Sequence, residues 1–143
     1  MPKKRRLVIE AQLDNLSTVR RFVEESCRIF GARDSVVSDL RLAVDEAVTN
    51  IIIHGYKKRG GNIEVEVERK DDALVVCLRD NAAVFNPATR FIPKSQMPRG
   101  LESPGRLGIH LIQKAIDDIS HRITESGGNE LTLVKRNGDV FQS

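Results

Sequence analysis

The chain has 143 residues, of which 40% are hydrophobic and 30% charged, a balance typical of one globular domain and unlike that of a disordered or fibrous protein. The net charge is +3, but four basic residues are concentrated in a tip over residues 1–6 and only 4% of residues are aromatic, so direct nucleic-acid binding is not expected. No apolar run approaches the roughly 18 residues that suggest a membrane span, and no secretory signal is recognisable. We therefore expect a cytoplasmic protein, with Cys27 and Cys77 as reduced thiols.

The first part of the chain predicts one strand and two helices. Apolar residues alternate over 6–13, which is typical of a strand. Apolar residues then recur at the three-and-four spacing of a helix over 14–31, where a glycine ends the pattern. The same spacing continues over 34–55 and predicts a longer central helix.

The second part predicts four strands, one helix and a long loop. Apolar residues over 63–67 alternate with glutamates that we expect to face water, and a nearly continuous apolar run over 73–78 indicates a central strand. Residues 81–107 lack periodicity and are rich in proline and glycine, and a loop of this length in a small domain is usually a functional lid. The remaining elements are a helix over 108–116 and strands over 119–123 and 131–134.

This order of elements predicts an α+β two-layer sandwich. Its mixed, largely antiparallel sheet would carry the helices on one face, because sequential strands at both ends of the chain favour hairpins. We expect a single domain over 1–143 with the lid over 81–107.

Glu46 and Asn50 are the first candidates for chemistry, since they lie one turn apart on the central helix and share a face. From that helix alone, a solvated flank is the simpler interpretation. His54, His110 and His121 show no metal-binding spacing, so acid–base chemistry, if there is any, falls to Glu46.

Two further places could bind a ligand. Asp80 ends the central strand where the long loop begins, and its carboxylate could accept a hydrogen bond from a ligand amine, although Asp-Asn is also an ordinary turn. Gly105 and Gly108 precede a helix, where glycines let backbone N–H groups approach an anion. The spacing matches neither the P-loop nor the dinucleotide-binding GxGxxG motif, and two loop glycines are the simpler interpretation.

Taken in order, EAVTNIIIHGY, RDNAAVFNP, GRLGIHLIQKAIDDI and GGNELTLVKR resemble the anti-sigma factor serine kinases. This family belongs to the histidine-kinase, gyrase and MutL ATPase superfamily, which shares the Bergerat ATP-binding fold. The resemblance extends from about Leu7 to Arg136. It is most specific at Glu46, at Asn50 and at the HGY sequence that follows them.

The resemblance implies ATP and Mg²⁺ as cofactors and gives each candidate residue a role. Glu46 would be the general base, Asn50 would hold Mg²⁺, and Asp80 would accept a hydrogen bond from the adenine amino group. Thr132 would reach the adenine from the last strand, and Ala82 would lie beside the base. The lid residues that would surround the phosphates are Gly105, Arg106, Leu107 and Gly108.

The resemblance also implies partners. The protein would be a serine/threonine-protein kinase that holds a sigma factor inactive and phosphorylates a serine on a STAS-type anti-sigma antagonist. It would regulate transcription by partner switching. Members of the family are commonly homodimers, and the first strand and its neighbouring helix are candidates for that contact.

Two positions depart from the family pattern and leave alternatives open. Ala82 stands where the family has the glycine of Asp-x-Gly, and Arg106 interrupts the Gly-Gly-x-Gly of the lid. Arg106 could itself meet a phosphate as a charged donor. One alternative is a regulatory module that binds partners with weak or no nucleotide binding. The other is an ATPase in which Glu46 activates water.

Overall fold

One five-stranded sheet underlies the architecture in the computed structural model, which describes residues 3–57, 59–82 and 115–137. Its strands are β1 (Lys4–Glu10), β2 (Asn62–Lys70), β3 (Ala73–Asp80), β4 (Asp118–Ile123) and β5 (Asn129–Arg136). They lie in the order β1-β2-β3-β5-β4, and each of these pairings is antiparallel. The predicted strands are therefore all present, and the described part of the sheet contains antiparallel pairs only.

Two helices, α1 (Leu16–Ile29) and α2 (Asp34–Asn50), cover one face of the sheet. The sequence predicts α2 as continuous to Gly55, whereas the structure ends it at Asn50 and continues with one wide π-helical turn over Ile51–Gly55. The N–H of Tyr56 donates to the carbonyl of Ile51 across 2.8 Å, a step of five residues rather than four. Such wide turns are frequent at functional sites, and this one begins directly after Asn50.

The described residues form a hydrophobic core between the helices and the sheet. Alternate residues of the central strands, such as Val65, Val76 and Leu133, are fully buried there because successive side chains of a strand point to opposite faces. Leu40 and Val48 of α2 close the core from the other side. This arrangement confirms the predicted α+β sandwich. The predicted lid lies outside the described residues from position 83 onward, as does the predicted helix over 108–116 up to position 114.

The opposite face of the sheet, which we call the open face, carries a network of ion pairs. The prediction that the glutamates of β2 face water is wrong for Glu66, which is only 4% exposed. The guanidinium of Arg79 lies 2.7 Å from Glu64, 2.9 Å from Glu66 and 2.7 Å from Glu130. Alternation correctly places Glu66 away from the core, but it gives no sign that arginine from the next strand will cover that face.

Arg79 is expected to contribute to stability because it compensates a buried carboxylate. Burial opposes the ionisation of Glu66, but the hydrogen bond and charge of Arg79, together with the charge of Lys4 and the hydrogen bond from Arg6, outweigh that effect and lower the pKa of Glu66. The folded state therefore gains stability from ionised Glu66 above the ordinary glutamate pKa. That gain is lost as the pH falls through the lowered folded-state pKa.

Arg79→Met should lower the free energy of unfolding by about 2–3 kcal/mol at neutral pH, a value below that for a fully buried pair because Arg79 is partly exposed. Urea denaturation measures the difference, which should shrink in acid as Glu66 becomes protonated. Arg122→Met is the matched control, since Arg122 pairs with the same Glu130 but its side chain is 70% exposed. Equal effects of the two substitutions would contradict the assigned role of Arg79.

Candidate functional site

Asp80 ends β3 on the helix-covered face and is the centre of the candidate site. Its Oδ1 accepts two hydrogen bonds, from the Ala82 backbone N–H at 2.9 Å and from Asn129 Nδ2 at 3.0 Å. Within the described part of the chain, its buried Oδ2 has no hydrogen-bond partner. Burial raises the pKa of Asp80, and the hydrogen bonds from Asn129 and Ala82 partly oppose that rise. An unsatisfied buried acceptor is costly, and a ligand that brings an N–H donor would satisfy it.

Asn129 is the neighbour of Asp80 that the sequence analysis missed. It is 1% exposed, and its Oδ1 lies 2.8 Å from His121 Nε2 on β4. The signal that could have identified it is register, because Asn129 is the direct cross-strand partner of Asp80 in the β3–β5 pairing. Directly paired residues of an antiparallel sheet share a face.

Thr132 does not lie with Asp80. It is paired with Cys77 on the open face, and its Oγ1 lies 3.6 Å from the Cys77 sulfur. The structure therefore does not bring the side chains of these two predicted site residues, Thr132 and Asp80, together. Thr132 is an odd number of residues from Asn129 along β5, and the two side chains consequently point to opposite faces.

Glu46 and Asn50 lie at the C-terminal end of α2. Asn50 is 6% exposed, whereas Glu46 is half-buried. Burial raises the pKa of Glu46, and the neighbouring charge of Asp45 raises it further. Asp45 itself accepts a hydrogen bond from Arg20 of α1 at 2.7 Å. A carboxylate whose pKa is shifted toward the working pH is better suited to accept a proton.

Tyr56 joins the end of α2 to the end of β3. Its hydroxyl accepts a hydrogen bond from the Asn81 N–H at 2.7 Å and donates one to the Asn62 carbonyl at 2.7 Å. The ring also packs so closely on Gly61 that an added Cβ there would overlap it. Tyr56 belongs to the HGY sequence that follows Asn50, so the structure gives that tyrosine a defined role in holding the residue after Asp80.

Tyr56→Phe should lower the free energy of unfolding by about 1–2 kcal/mol, because it removes the hydroxyl and leaves the Asn81 N–H unpaired while keeping the ring against Gly61. Amide hydrogen exchange followed by NMR gives the specific readout. Protection should be lost at Asn81 but retained at Val76 in the middle of β3. Unchanged exchange at Asn81 would show that the tyrosine hydroxyl does not fix this segment.

The β4–β5 turn brings Asn129 to Asp80. Gly128 lies against β3 so closely that an added Cβ would overlap the carbonyl oxygen of Asp80, and its N–H donates to Thr124 Oγ1 at 3.0 Å. Ser126 donates to Asn81 Oδ1 at 3.3 Å. Glycine is therefore required at 128 by close approach, and the turn is fixed to both residues at the end of β3.

The departure at Ala82 does not strain the backbone. Ala82 is 3% exposed, and it is not among the described residues with a positive φ, so its methyl group is accommodated without the conformational freedom of glycine. The predicted lid residues Gly105, Arg106, Leu107 and Gly108 lie outside the described residues.

Asn50 is the residue that the resemblance assigns to Mg²⁺. No group of three or more His, Cys, Asp or Glu side chains suitable for a metal ion occurs within residues 3–57, 59–82 and 115–137. Mg²⁺ commonly binds with few protein ligands together with phosphate oxygens and water, so a single amide oxygen fits this ion in the presence of a nucleotide. None of the described helices is long and apolar enough to cross a membrane.

This chain is similar in sequence to a known protein family and to two named relatives. The family model "Histidine kinase-like ATPase domain" matches residues 9–135. A serine-protein kinase RsbW from Bacillus mycoides is 28% identical over 124 residues, covering 82% of this chain and 76% of the relative. An anti-sigma F factor from Clostridium kluyveri is 30% identical over 108 residues, covering 75% of this chain and 72% of the relative.

A solved structure shares the fold. The crystal structure of the RsbU and RsbW domains of a Mycobacterium tuberculosis protein superimposes with a TM-score of 0.62 at 21% identity, over 92% of this chain. This chain spans only 32% of that longer protein. Together with the buried acceptor at Asp80 and the Glu46–Asn50 pair, these matches show that the chain belongs to the histidine kinase-like ATPase family, within its group of anti-sigma factor serine kinases.

Proposed function

We propose that this protein is a Mg²⁺- and ATP-dependent protein-serine kinase that acts as an anti-sigma factor. The observation that carries the proposal is the buried Oδ2 of Asp80, which has no hydrogen-bond partner among the described residues and lies on the same side of the sheet as α2, the helix that bears Glu46 and Asn50. An acceptor of this kind suits the exocyclic amine of adenine. The family relationship makes ATP the nucleotide of choice.

The chain's own residues divide the work of phosphoryl transfer. Asp80 holds the adenine, and Asn50 is the residue that would hold Mg²⁺, which neutralises phosphate charge when it is bound. Glu46 takes the proton from a substrate serine as the serine oxygen forms its bond to the γ-phosphorus. The bond from that phosphorus to the bridging oxygen of ATP breaks, and ADP leaves. Gly105, Arg106, Leu107 and Gly108 are proposed to surround the phosphates.

The names of two relatives, an anti-sigma F factor and a serine-protein kinase, support a sigma factor and a protein substrate as partners. We propose that this chain binds a sigma factor and phosphorylates a STAS-type antagonist in the cytoplasm. It would do so as a homodimer that uses β1 and α1. Phosphate adds about 1.5–2 negative charges to the antagonist, which would weaken its binding and free the kinase for its sigma factor.

The rate of transfer should fall in acid, because Glu46 acts only when it is ionised. Since burial and Asp45 raise its pKa, the loss should occur above the ordinary glutamate pKa. Asp45→Asn removes the smaller of the two causes of the raised pKa. The acid limb of the pH–rate profile, where the transfer rate falls, should therefore move to lower pH and still lie above the ordinary glutamate pKa. Single-turnover rates measured across pH test both statements. A limb that Asp45→Asn does not move would contradict the assignment of the proton acceptor.

The activity itself is tested by purifying the chain with its captured partners, adding Mg²⁺ and ATP, and measuring every component by intact mass spectrometry. A phosphate-sized mass gain on a small partner is the expected result. Release of ADP without that gain would instead indicate an ATPase. Absence of nucleotide binding would indicate a regulatory module, for which the departures from the family pattern at Ala82 and Arg106 are the motivating features.

A further inference from the structure

We infer that Asn129 and His121 form a positioning pair that fixes which oxygen of Asp80 is offered to a ligand, and that this pair makes the site select nucleobases presenting an amino group. The inference rests on the proposed nucleotide binding and deepens it. It concerns a hydrogen-bonded chain, His121–Asn129–Asp80, which crosses strands β4, β5 and β3.

The first step concerns the orientation of the Asn129 amide. The terminal atom of this amide that faces Asp80 lies 3.0 Å from Asp80 Oδ1, and Oδ1 already accepts a hydrogen bond from the Ala82 N–H. An ionised carboxylate can only accept hydrogen bonds, so an amide oxygen at this place would repel it. Asn129 must therefore present its NH₂ group to Asp80 and its oxygen to the opposite side.

The second step concerns the proton on His121. The oxygen of Asn129 lies 2.8 Å from His121 Nε2, and an amide oxygen is an acceptor. Nε2 must accordingly carry a hydrogen. If His121 carried its only proton on Nδ1, two acceptors would face each other, and the amide of Asn129 would be driven to turn round against Asp80. A hydrogen on His121 Nε2 therefore helps to hold the Asn129 amide with its NH₂ group toward Asp80.

The third step concerns what remains for a ligand. Both donors converge on Oδ1 of Asp80, so the carboxylate is held in one rotamer, and Oδ2 is the oxygen without a partner in the part of the chain that the structure describes. A base with an amino group at position 6 satisfies that atom. A base with a carbonyl oxygen there places acceptor against buried acceptor. Sites built this way reject the mismatched analogue strongly, since a buried polar group is left unpaired.

A satisfied polar pair in the core is the competing interpretation, and base selectivity distinguishes it. A purely structural pair would affect the binding of adenine and hypoxanthine nucleotides alike. A positioning pair must change the ratio of the two affinities, because it orients the Asp80 oxygen that would meet position 6, where adenine has an amino group and hypoxanthine has a carbonyl oxygen.

The experiment titrates the complete chain with Mg²⁺·ATP and Mg²⁺·inosine triphosphate by calorimetry. The wild-type protein should prefer ATP by at least about 100-fold. Asn129→Leu, which keeps the approximate volume, and His121→Phe should each reduce that ratio by at least about 10-fold. His121→Gln offers an amide N–H in place of Nε2–H and should retain most of the ratio. Ratios unchanged in Asn129→Leu and His121→Phe would overturn the inference.

A second measurement does not depend on nucleotide. Nitrogen-15 NMR of the His121 ring should show a hydrogen on Nε2, and the Asn129 side-chain amide should exchange slowly. A hydrogen on Nδ1 alone would overturn the inference even if both variants failed to fold. A wild-type protein that binds neither nucleotide would overturn the proposed function and the selectivity with it. A wild type that prefers ATP, with variants that keep the preference, would overturn the positioning pair alone.

Discussion

Glu46→Gln should reduce phosphate transfer by about 100- to 10,000-fold while leaving ATP binding within a few-fold, because the amide keeps the shape of the side chain but cannot take up the serine proton. Glu46 is half-buried, and burial is the main cause of its raised pKa, so its carboxylate takes up a proton more readily than an ordinary glutamate does. Single-turnover transfer and calorimetric ATP binding measure the two effects separately.

The control for this substitution is Glu25→Gln. Glu25 lies on α1 and pairs loosely with Arg5 at 3.5 Å, and its side chain is 58% exposed. Transfer by Glu25→Gln should match that of the wild type. Undiminished transfer by Glu46→Gln would remove Glu46 from the role of general base and would leave water or the phosphate itself as the proton acceptor.

Asp80→Asn should weaken ATP binding by at least about 100-fold, because it replaces the open acceptor with an NH₂ group that opposes the amino group of adenine. The same change should not destabilise the fold. Burial raises the pKa of Asp80, which means that the ionised carboxylate is less favourable in the folded protein than in the unfolded chain. The neutral amide still accepts from Ala82 and Asn129 through its oxygen.

Weaker ATP binding without a loss of stability distinguishes a ligand acceptor from a structural residue. Calorimetry gives the affinity, and thermal unfolding without nucleotide gives the stability. Thr132→Val is the matched control, since Thr132 lies on the open face and should leave ATP affinity unchanged. ATP binding by Asp80→Asn at the wild-type affinity would exclude the carboxylate as the base-recognition group.

Local patterns in the sequence were sufficient to predict most of the fold. The three-and-four spacing that predicts α1 and α2 is the spacing of their buried residues, and alternation in β2 places Val65 and Val67 in the core. Local patterns also predict that Asp80 ends a strand and that Glu46 and Asn50 lie on one helix, because each of these positions depends on neighbours within a few residues.

Local sequence patterns do not predict features that depend on contacts between distant segments. Asn129 meets Asp80 across 49 positions of sequence, and Arg79 covers Glu66 from the next strand. Both contacts are set by strand register, and a one-residue difference in register moves a side chain to the other face. The same sensitivity explains why Thr132 was predicted as a ligand contact and Asn129 was not.

The most direct test of the site is ATP titration of the isotope-labelled protein in the presence of Mg²⁺, followed by NMR of methyl groups and side-chain amides. The methyl group of Ala82 and the amide groups of Asn50 and Asn129 should shift together with one dissociation constant. The methyl groups of Val75 and Thr132 on the open face should stay in place. Shifts confined to the open face, or no shifts at millimolar ATP, would contradict a nucleotide site at Asp80.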